Sequence, residues 1–336
     1  MAETAIKTLH TSALQRIFKV IRLEKNEISS IYFYAILSGL IQLSLPLGIQ
    51  SLISFVLGGS LSTSLVVLIV LVVSGVFFTG LLQVNQMKLI EKIQQKIFVR
   101  YSFGFADRIP KLNLSAVDNY YLPELVNRFF DTVLLQKGIS KILLDIPAAS
   151  IQIFFGLILL SFYHPVFIFF GISLITIIFI ILRLAGGKGL ETSIQESNYK
   201  YAVIGWLEEI ARVVKSFKFS KNNTLHIGST NKLVTGYLDR RTSHFKILLI
   251  QYWSLIAFKV LITAAMLIVG SILLVNQQLN IGQFIAAEIV LLMVITSVEK
   301  IIVNLDKVYD ILTSVEKLAT VIDKPIEKVV LSNLIP

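Results

Sequence analysis

The sequence predicts an all-α membrane protein whose six transmembrane helices extend past the bilayer as two helical hairpins. Three observations carry this. Hydrophobic residues make up 55% of the 336 and charged residues 15%, with a mean hydropathy of +0.76, outside the range of water-soluble domains. Six apolar runs approach the ~20 residues needed to cross roughly 30 Å of hydrocarbon. The lysines and arginines gather on alternate connections between those runs.

The runs are Ile31 to Leu57, Leu65 to Met87, Ile142 to Phe162, Val166 to Leu182, Ile247 to Val275 and Phe284 to Val303. The short connections GGSLSTS, YHP and NQQLNIG carry no Lys or Arg. Five basic residues precede the first run, nine lie in Lys88 to Lys141, eleven in Arg183 to Lys246 and five from Lys300 onward, which leaves only Lys259 elsewhere. By the positive-inside rule both termini and both long connections are cytoplasmic. The net charge of +10 is therefore an orientation signal rather than a nucleic-acid footprint. There is no cysteine, so disulfides, thiolate catalysis and Cys-ligated metals are excluded. The four histidines stand singly and read as ordinary polar residues, not metal ligands.

Residues 1–30 show no cleavable signal peptide, because the first apolar run is too long for one. Within them SALQRIFKVIRLEKNE sets Leu14, Ile17, Phe18 and Ile21 on one helical face and Arg16, Lys19, Arg22 and Lys25 around the other. That pattern suits a helix lying in the cytoplasmic headgroup region, or one tucked against the protein's own loops. The membrane domain then spans 31–305, and 306–336 reads as a cytoplasmic linker.

The second run should continue as helix well past the bilayer, since Leu89, Ile93, Ile97, Phe98, Tyr101 and Phe105 keep an apolar stripe. The fourth should do the same through Val203, Leu207, Ile210, Val214 and Phe217. Between the second and third runs, YYLPELVNRFFDTVL places Pro123 where a fresh helix would start and Glu124 in its first turn, where the helix dipole favours an acid. Leu125 and Phe129 form one side of this helix, and Glu124, Arg128 and Asp131 the other. Such a helix either docks another protein or closes its own hairpin.

Four stretches together resemble the transmembrane domain of ATP-binding cassette exporters, in particular the bacterial peptide and type I secretion branch. YLPELVNRFFDTV is similar to the first coupling-helix region, and WLEEIARVVKSFKFSKN to the second intracellular loop. LNIGQFIAAEIV resembles the turn into the sixth span, and SVEKLATVIDKPIEK the linker after it. Leu122-Pro123 departs from the Gly that the family commonly places before the acid.

The resemblance implies the permease half of an ATP-driven exporter in a bacterial inner membrane, a dimer of two such subunits enclosing a translocation path. ATP and Mg would be bound by a partner ATPase domain, with no cofactor in this chain. It places Leu122, Pro123, Glu124, Leu125, Arg128 and Asp131 at the first ATPase contact, and Glu208, Glu209, Arg212 and Lys215 near the second. That ATPase domain normally follows the linker. The nearest approach to a phosphate-binding loop here, RLAGGKGLETS, has Leu182 where the first glycine belongs and follows a membrane run. The chain by itself is thus expected to bind no ATP and to be no enzyme.

Ionisable residues within the apolar runs face protein or water, because an unpaired charge there is costly. Asp145 follows Lys141 by one helical turn and should pair with it. Lys259, about 24 Å from the outer end of its span, either snorkels or faces a cavity, and Glu288, about 9 Å below the outer end of its own, reads as a cavity residue. The depth difference rules out a direct pair between them. Pro46 and Gly48 should loosen the first span, as a gating hinge or as an inert kink. Two other readings remain. A secondary transporter would place broken helices in corresponding halves, which this chain lacks. A truncated, non-transporting relic or regulatory subunit is compatible with the sequence.

Overall fold

The computed structural model describes residues 14–59, 63–113, 115, 122–219 and 224–327. Helices follow one another throughout: α1 over residues 14–23, then α2 (Lys25–Gln42), α3 (Ser44–Leu57), α4 (Thr63–Arg108), α5 (Leu122–Asn127), α6 (Asp131–Tyr163), α7 (Val166–Arg212), α8 (Val214–Phe219), α9 (Leu225–Val275), α10 (Ile281–Val303) and α11 (Leu305–Ile322). A 3-10 turn, Arg128–Phe130, joins α5 to α6.

Three of these far outreach a bilayer. α4, α7 and α9 have 46, 47 and 51 residues, or roughly 70–77 Å each at 1.5 Å per residue, against ~30 Å of hydrocarbon. The described residues of both long connections are therefore mostly helix, as the periodicity indicates. Among the described residues five segments are long and apolar enough to cross a membrane: Lys25–Leu57, Thr63–Lys111, Leu122–Tyr163, Leu225–Val275 and Ile281–Ile322. In place of a sixth of equal length, α7 opens with a shorter apolar portion, Val166–Ile180, and runs on as helix. None of the apolar window of α4 is buried inside the chain, and Val66, Val67, Val70, Val73 and Phe77 all stand exposed. A surface that apolar needs lipid or another subunit against it.

The first span is two pieces. α2 ends at Gln42 and α3 begins at Ser44, with Leu43 between them, so the chain breaks just before Pro46 rather than at it. Proline then sits in the first turn of α3, where its missing N–H costs no helical bond. Gly48 is buried, and a Cβ there would meet Val72 Cγ2 at 2.2 Å, so α3 and α4 touch at this point.

Among the described residues packing forms two large cores, with a small third around Leu190, Tyr309 and Leu312. In the membrane region α6, α7, α9 and α10 close around Leu160, Phe167, Leu174, Leu255, Met266 and Val294. Toward the hairpins, α2, α4, α5, α6 and α11 close around Ile93, Ile97, Phe105, Leu125, Leu135 and Leu318. The stripe read on α4 is the buried one, apart from Phe98, which is exposed but meets the Phe129 ring at 5.6 Å.

On α7 the buried side is not the apolar stripe. Leu207 and Val214 are exposed, whereas Gly189, Leu190, Ser193, Ser197 and Tyr201 face inward. The reason is α11, which meets α7 through small and polar groups. The Ser193 and Thr313 hydroxyls lie 2.9 Å apart, and a Cβ on Gly189 would fall 2.4 Å from the Tyr309 ring. The stripe also stops early, because α7 ends at Arg212 with Val213 out of helical conformation.

Within the segment 306–336, residues up to Ile322 belong to α11, a largely buried helix set apart from α10 only by Asn304. Asp145 accepts a hydrogen bond from this Asn304, at 3.1 Å, and does not pair with Lys141. Beyond α11 the chain pairs with the end of α4: Asn113 N–H donates to Pro325 O at 3.0 Å and Glu327 N–H to Lys111 O at 2.7 Å. α1 lies against its own protein, the second of the two arrangements compatible with its sequence. Arg16 bonds Glu316 at 2.8 Å and Asp323 at 2.6 Å. The buried Glu24 takes Lys96 at 2.8 Å and Arg100 at 2.7 Å. Burial by itself would raise the Glu24 carboxyl, and the bonds from those two cations bring it below its ordinary value.

Candidate functional site

The far end of the first hairpin is α5 with its 3-10 turn. Tyr120 and Tyr121 lie outside the described residues. Pro123 occupies the second position of α5 and Glu124 its first turn, as expected. Which faces are buried differs from the sequence reading. Leu125, 1% exposed, is in the core, and Phe129 lodges between the Phe98 and Phe105 rings at 5.6 and 5.5 Å. The charged side is buried as well, with Arg128 9% and Asp131 2% exposed. In a 3-10 turn side chains three apart eclipse, so Arg128 and Asp131 come onto the same inward side. What remains outside is apolar: Leu122, Pro123, Val126 and Phe130, the last 69% exposed.

Beneath that face is an ionic base built from α5 and its turn, the start of α6, α7 and α11. Arg128 donates to Glu124 Oε1 from Nη2 at 3.0 Å and from Nε at 3.3 Å, and to the Thr320 hydroxyl of α11. Its guanidinium lies 5.7 Å from the centre of the Tyr201 ring of α7. Lys200 stands 4.8 Å from the same ring and 3.4 Å from Asp131 Oδ1. Lys317 of α11 is 5.7 Å from the ring on its own approach and donates to Asn198. Three cations thus surround one tyrosine ring, and three acid or amide groups hold them. None of Asn198, Lys200, Tyr201, Lys317 and Thr320 is singled out by the sequence. Their partners are 69 to 192 residues away, and no local pattern signals a contact of that range.

This base lies beyond the membrane: Lys317 is fourteen residues, or about 21 Å, past the last apolar run. Burial, and then the neighbouring Arg128, push the Lys317 ammonium down to about 8. Burial raises the Asp131 carboxyl, partly offset by Lys200 and Tyr201. Tyr201 is raised by burial and by Asp131. The linkage has a definite sign. The unfolded chain keeps the Lys317 proton up to about 10.5 and the folded chain only up to about 8, so the unfolded state binds more protons in that window and stability rises with pH across it. Relative to a Lys317→Met variant, the wild type is expected to gain thermal stability in detergent between pH 7 and about 9.5. A difference that stays flat or shrinks would contradict this.

Of the second group, Glu208 belongs to the first hairpin's end, because Asn127 of α5 donates to it. The helices are close there: a Cβ on Gly205 would lie 3.4 Å from Glu124 Cγ. Glu209 and Arg212 pair with each other at the surface. Lys215 sits on α8, whose Val214, Lys215 and Phe219 are exposed and whose Phe217 ring meets His226 at 5.5 Å. Residues 220–223 lie outside the described residues. Trp206 donates to Thr230 at 3.0 Å and ties α7 to α9. Between this pair and α5 opens a cleft of about 570 Å³ lined by Glu124, Arg128, Tyr201, Trp206 and Lys317.

Within the membrane region Lys259 does not meet Glu288. It pairs with Glu299 of α10, which lies at nearly the same depth, about 23 Å from the start of its own run. The counting that separates Lys259 from Glu288 finds Glu299 once it is applied there. Glu288 is half-buried, and its Oε2 has no hydrogen-bond partner among the described residues. Lys259→Met and Glu299→Gln are each expected to cost on the order of 2 kcal/mol by leaving one charge alone in the bilayer. The double variant should recover most of it. Thermal unfolding of the four proteins checks this.

Nearer the hairpins a second polar cluster joins α7, α9 and α11. The buried His244 lies 2.9 Å from the Thr192 hydroxyl through Nδ1 and 3.5 Å from Asp306 Oδ1 through Nε2. Gln251 donates to the Tyr309 hydroxyl at 3.0 Å. The two clusters tie α11 to α7 at both levels, and to α9 at the second. A family model described as ABC transporter transmembrane region matches residues 29–298. A comparison with curated proteins finds no match.

Proposed function

The chain belongs to the family of ABC transporter transmembrane regions, and from that premise we propose that it is the permease half of an ATP-driven exporter. Six crossings, the fourth made by α7, would form one side of a translocation path, completed by a second such subunit, with homodimer the simplest arrangement. The exposed apolar surface of α4 supports a partner of that kind or lipid. The distribution of Lys and Arg supports hairpins and termini on the cytoplasmic side of an inner membrane. ATP and Mg would be held by the ATPase domain that docks on the hairpin ends.

One observation carries the coupling. The short α5 and its 3-10 turn set exposed apolar residues over a buried ionic base beside α7, a helix about twice the bilayer thickness. Unbroken helical hydrogen bonding transmits a displacement rather than absorbing it. The apolar residues suit the core of a protein interface, where charge is depleted. On this reading Leu122, Pro123, Val126 and Phe130 touch the ATPase domain. Glu124, Arg128 and Asp131 position them, fixing α5 to α7 and α11. Lys215 with Val214 and Phe219 offers the second contact, Glu209 and Arg212 border it, and Glu208 acts on the first through Asn127. Lys259, Glu299 and Glu288 face the path or its wall, and the break at Leu43 before Pro46 is a candidate hinge.

The test is co-purification of the chain with an ATPase domain encoded in the same reading frame or beside it, followed by ATP hydrolysis in liposomes with and without the chain. Stable association and altered turnover support the reading. Neither association nor altered turnover with any candidate ATPase domain would overturn it.

A further inference from the structure

We propose that the groove between α7 and α9 binds one anionic phospholipid from the leaflet on the hairpin side. The groove has a volume of about 530 Å³ and is walled by Ile177, Ile180, Ile250, Ala257, Phe258 and Leu261. Its two neutral polar groups are already engaged: Gln251 donates to Tyr309 and Ser254 to Ile250 O. Water entering such a space would find few partners, so an acyl chain is the better occupant.

Length and depth agree with one leaflet. The wall runs from Ile177 to Lys188 on α7, about 17 Å, and from Ile247 to Leu261 on α9, about 21 Å, compared with roughly 15 Å for half of the hydrocarbon core. Lys188 is 22 residues from the start of α7, or about 33 Å, which puts it one hydrocarbon thickness from the opposite face, at headgroup level. It is exposed, it makes no ion pair among the described residues, and no acid lines the groove. Lys246, also exposed, precedes the lining Ile247. The charge therefore calls for an anionic headgroup above an apolar slot.

This rests on α7 and α9 crossing the membrane and not on ATPase coupling, so failure to capture an ATPase domain leaves it standing. Native mass spectrometry of the delipidated full chain in detergent, titrated with phosphatidylglycerol or phosphatidylcholine, reads it directly. One phosphatidylglycerol should bind in preference to phosphatidylcholine. Lys188→Met should weaken phosphatidylglycerol about fivefold, the worth of one basic side chain near an anionic surface, and leave phosphatidylcholine unchanged. Ala257→Trp, which fills the slot, should weaken both. Equal affinities for the two lipids, or an unchanged phosphatidylglycerol affinity in Lys188→Met, would overturn the proposal. So would loss of chain–chain association in Ala257→Trp with lipid binding intact, which would make the groove an interface with a second copy. If Ala257→Trp does not fold, the exposed Lys188→Met decides alone.

Discussion

Val126→Asp combined with Phe130→Asp is expected to abolish capture of the ATPase domain by the purified chain while leaving its unfolding temperature almost unchanged. Val126 on α5 and Phe130 in the 3-10 turn are both exposed. Substitutions at such positions usually shift stability by about 0.5 kcal/mol or less. At the centre of an interface the same change buries a carboxylate against apolar surface. At about 2 kcal/mol for each hot-spot residue, the pair should weaken association about a thousandfold. Pull-down and ATPase stimulation in liposomes read one half of the expectation, and thermal unfolding in detergent the other. Undiminished capture would remove α5 from the docking surface.

Arg128→Ala should do the opposite, damaging the fold first. Its side chain is nearly enclosed, forks onto Glu124, reaches Thr320 on α11 and covers Tyr201. Truncation leaves the Glu124 carboxylate, itself mostly covered, without its cation. Breaking a buried pair from one side typically costs about 3–5 kcal/mol. Arg128→Lys should recover only part of this, since an ammonium cannot fork to two partners and lie flat on a ring at once. Glu124→Gln with Arg128→Met should be milder than Arg128→Ala, because neither charge is then left alone. Unfolding temperatures across this set provide the check. If all of them matched the wild type, the ionic base would not be what holds α5 in place.

The two experiments divide one short helix into a face for a partner and a face for its own protein, and that division was not legible in the sequence. YYLPELVNRFFDTVL announces a helix start through Pro123 and amphipathicity through its residue types. An amphipathic helix ordinarily turns its charges to water, and here the charges turn inward because α7 and α11 supply Tyr201, Lys200, Thr320 and Lys317 to receive them. The same limit explains α7. No residue of its apolar stripe is fully buried, while serines, a tyrosine and a glycine face the polar side of α11. On α4 the partner surface is apolar, and there the periodicity pointed to the buried side.

What the sequence determined by itself is therefore what depends on one segment and its solvent. Run length and hydropathy specify which segments can meet lipid. The distribution of Lys and Arg indicates which connections share a side, and unbroken helical periodicity carries the long helices past the bilayer. The tertiary structure alone decided the pairings: Lys259 with Glu299, Asp145 with Asn304, Arg128 with Glu124 and Thr320, α1 with α11, and Glu24 with α4. The physical reason is that periodicity reports how polar a face is and not what meets it. A buried charge is stable only beside its partner, and nearly all of these partners come from another helix far along the chain.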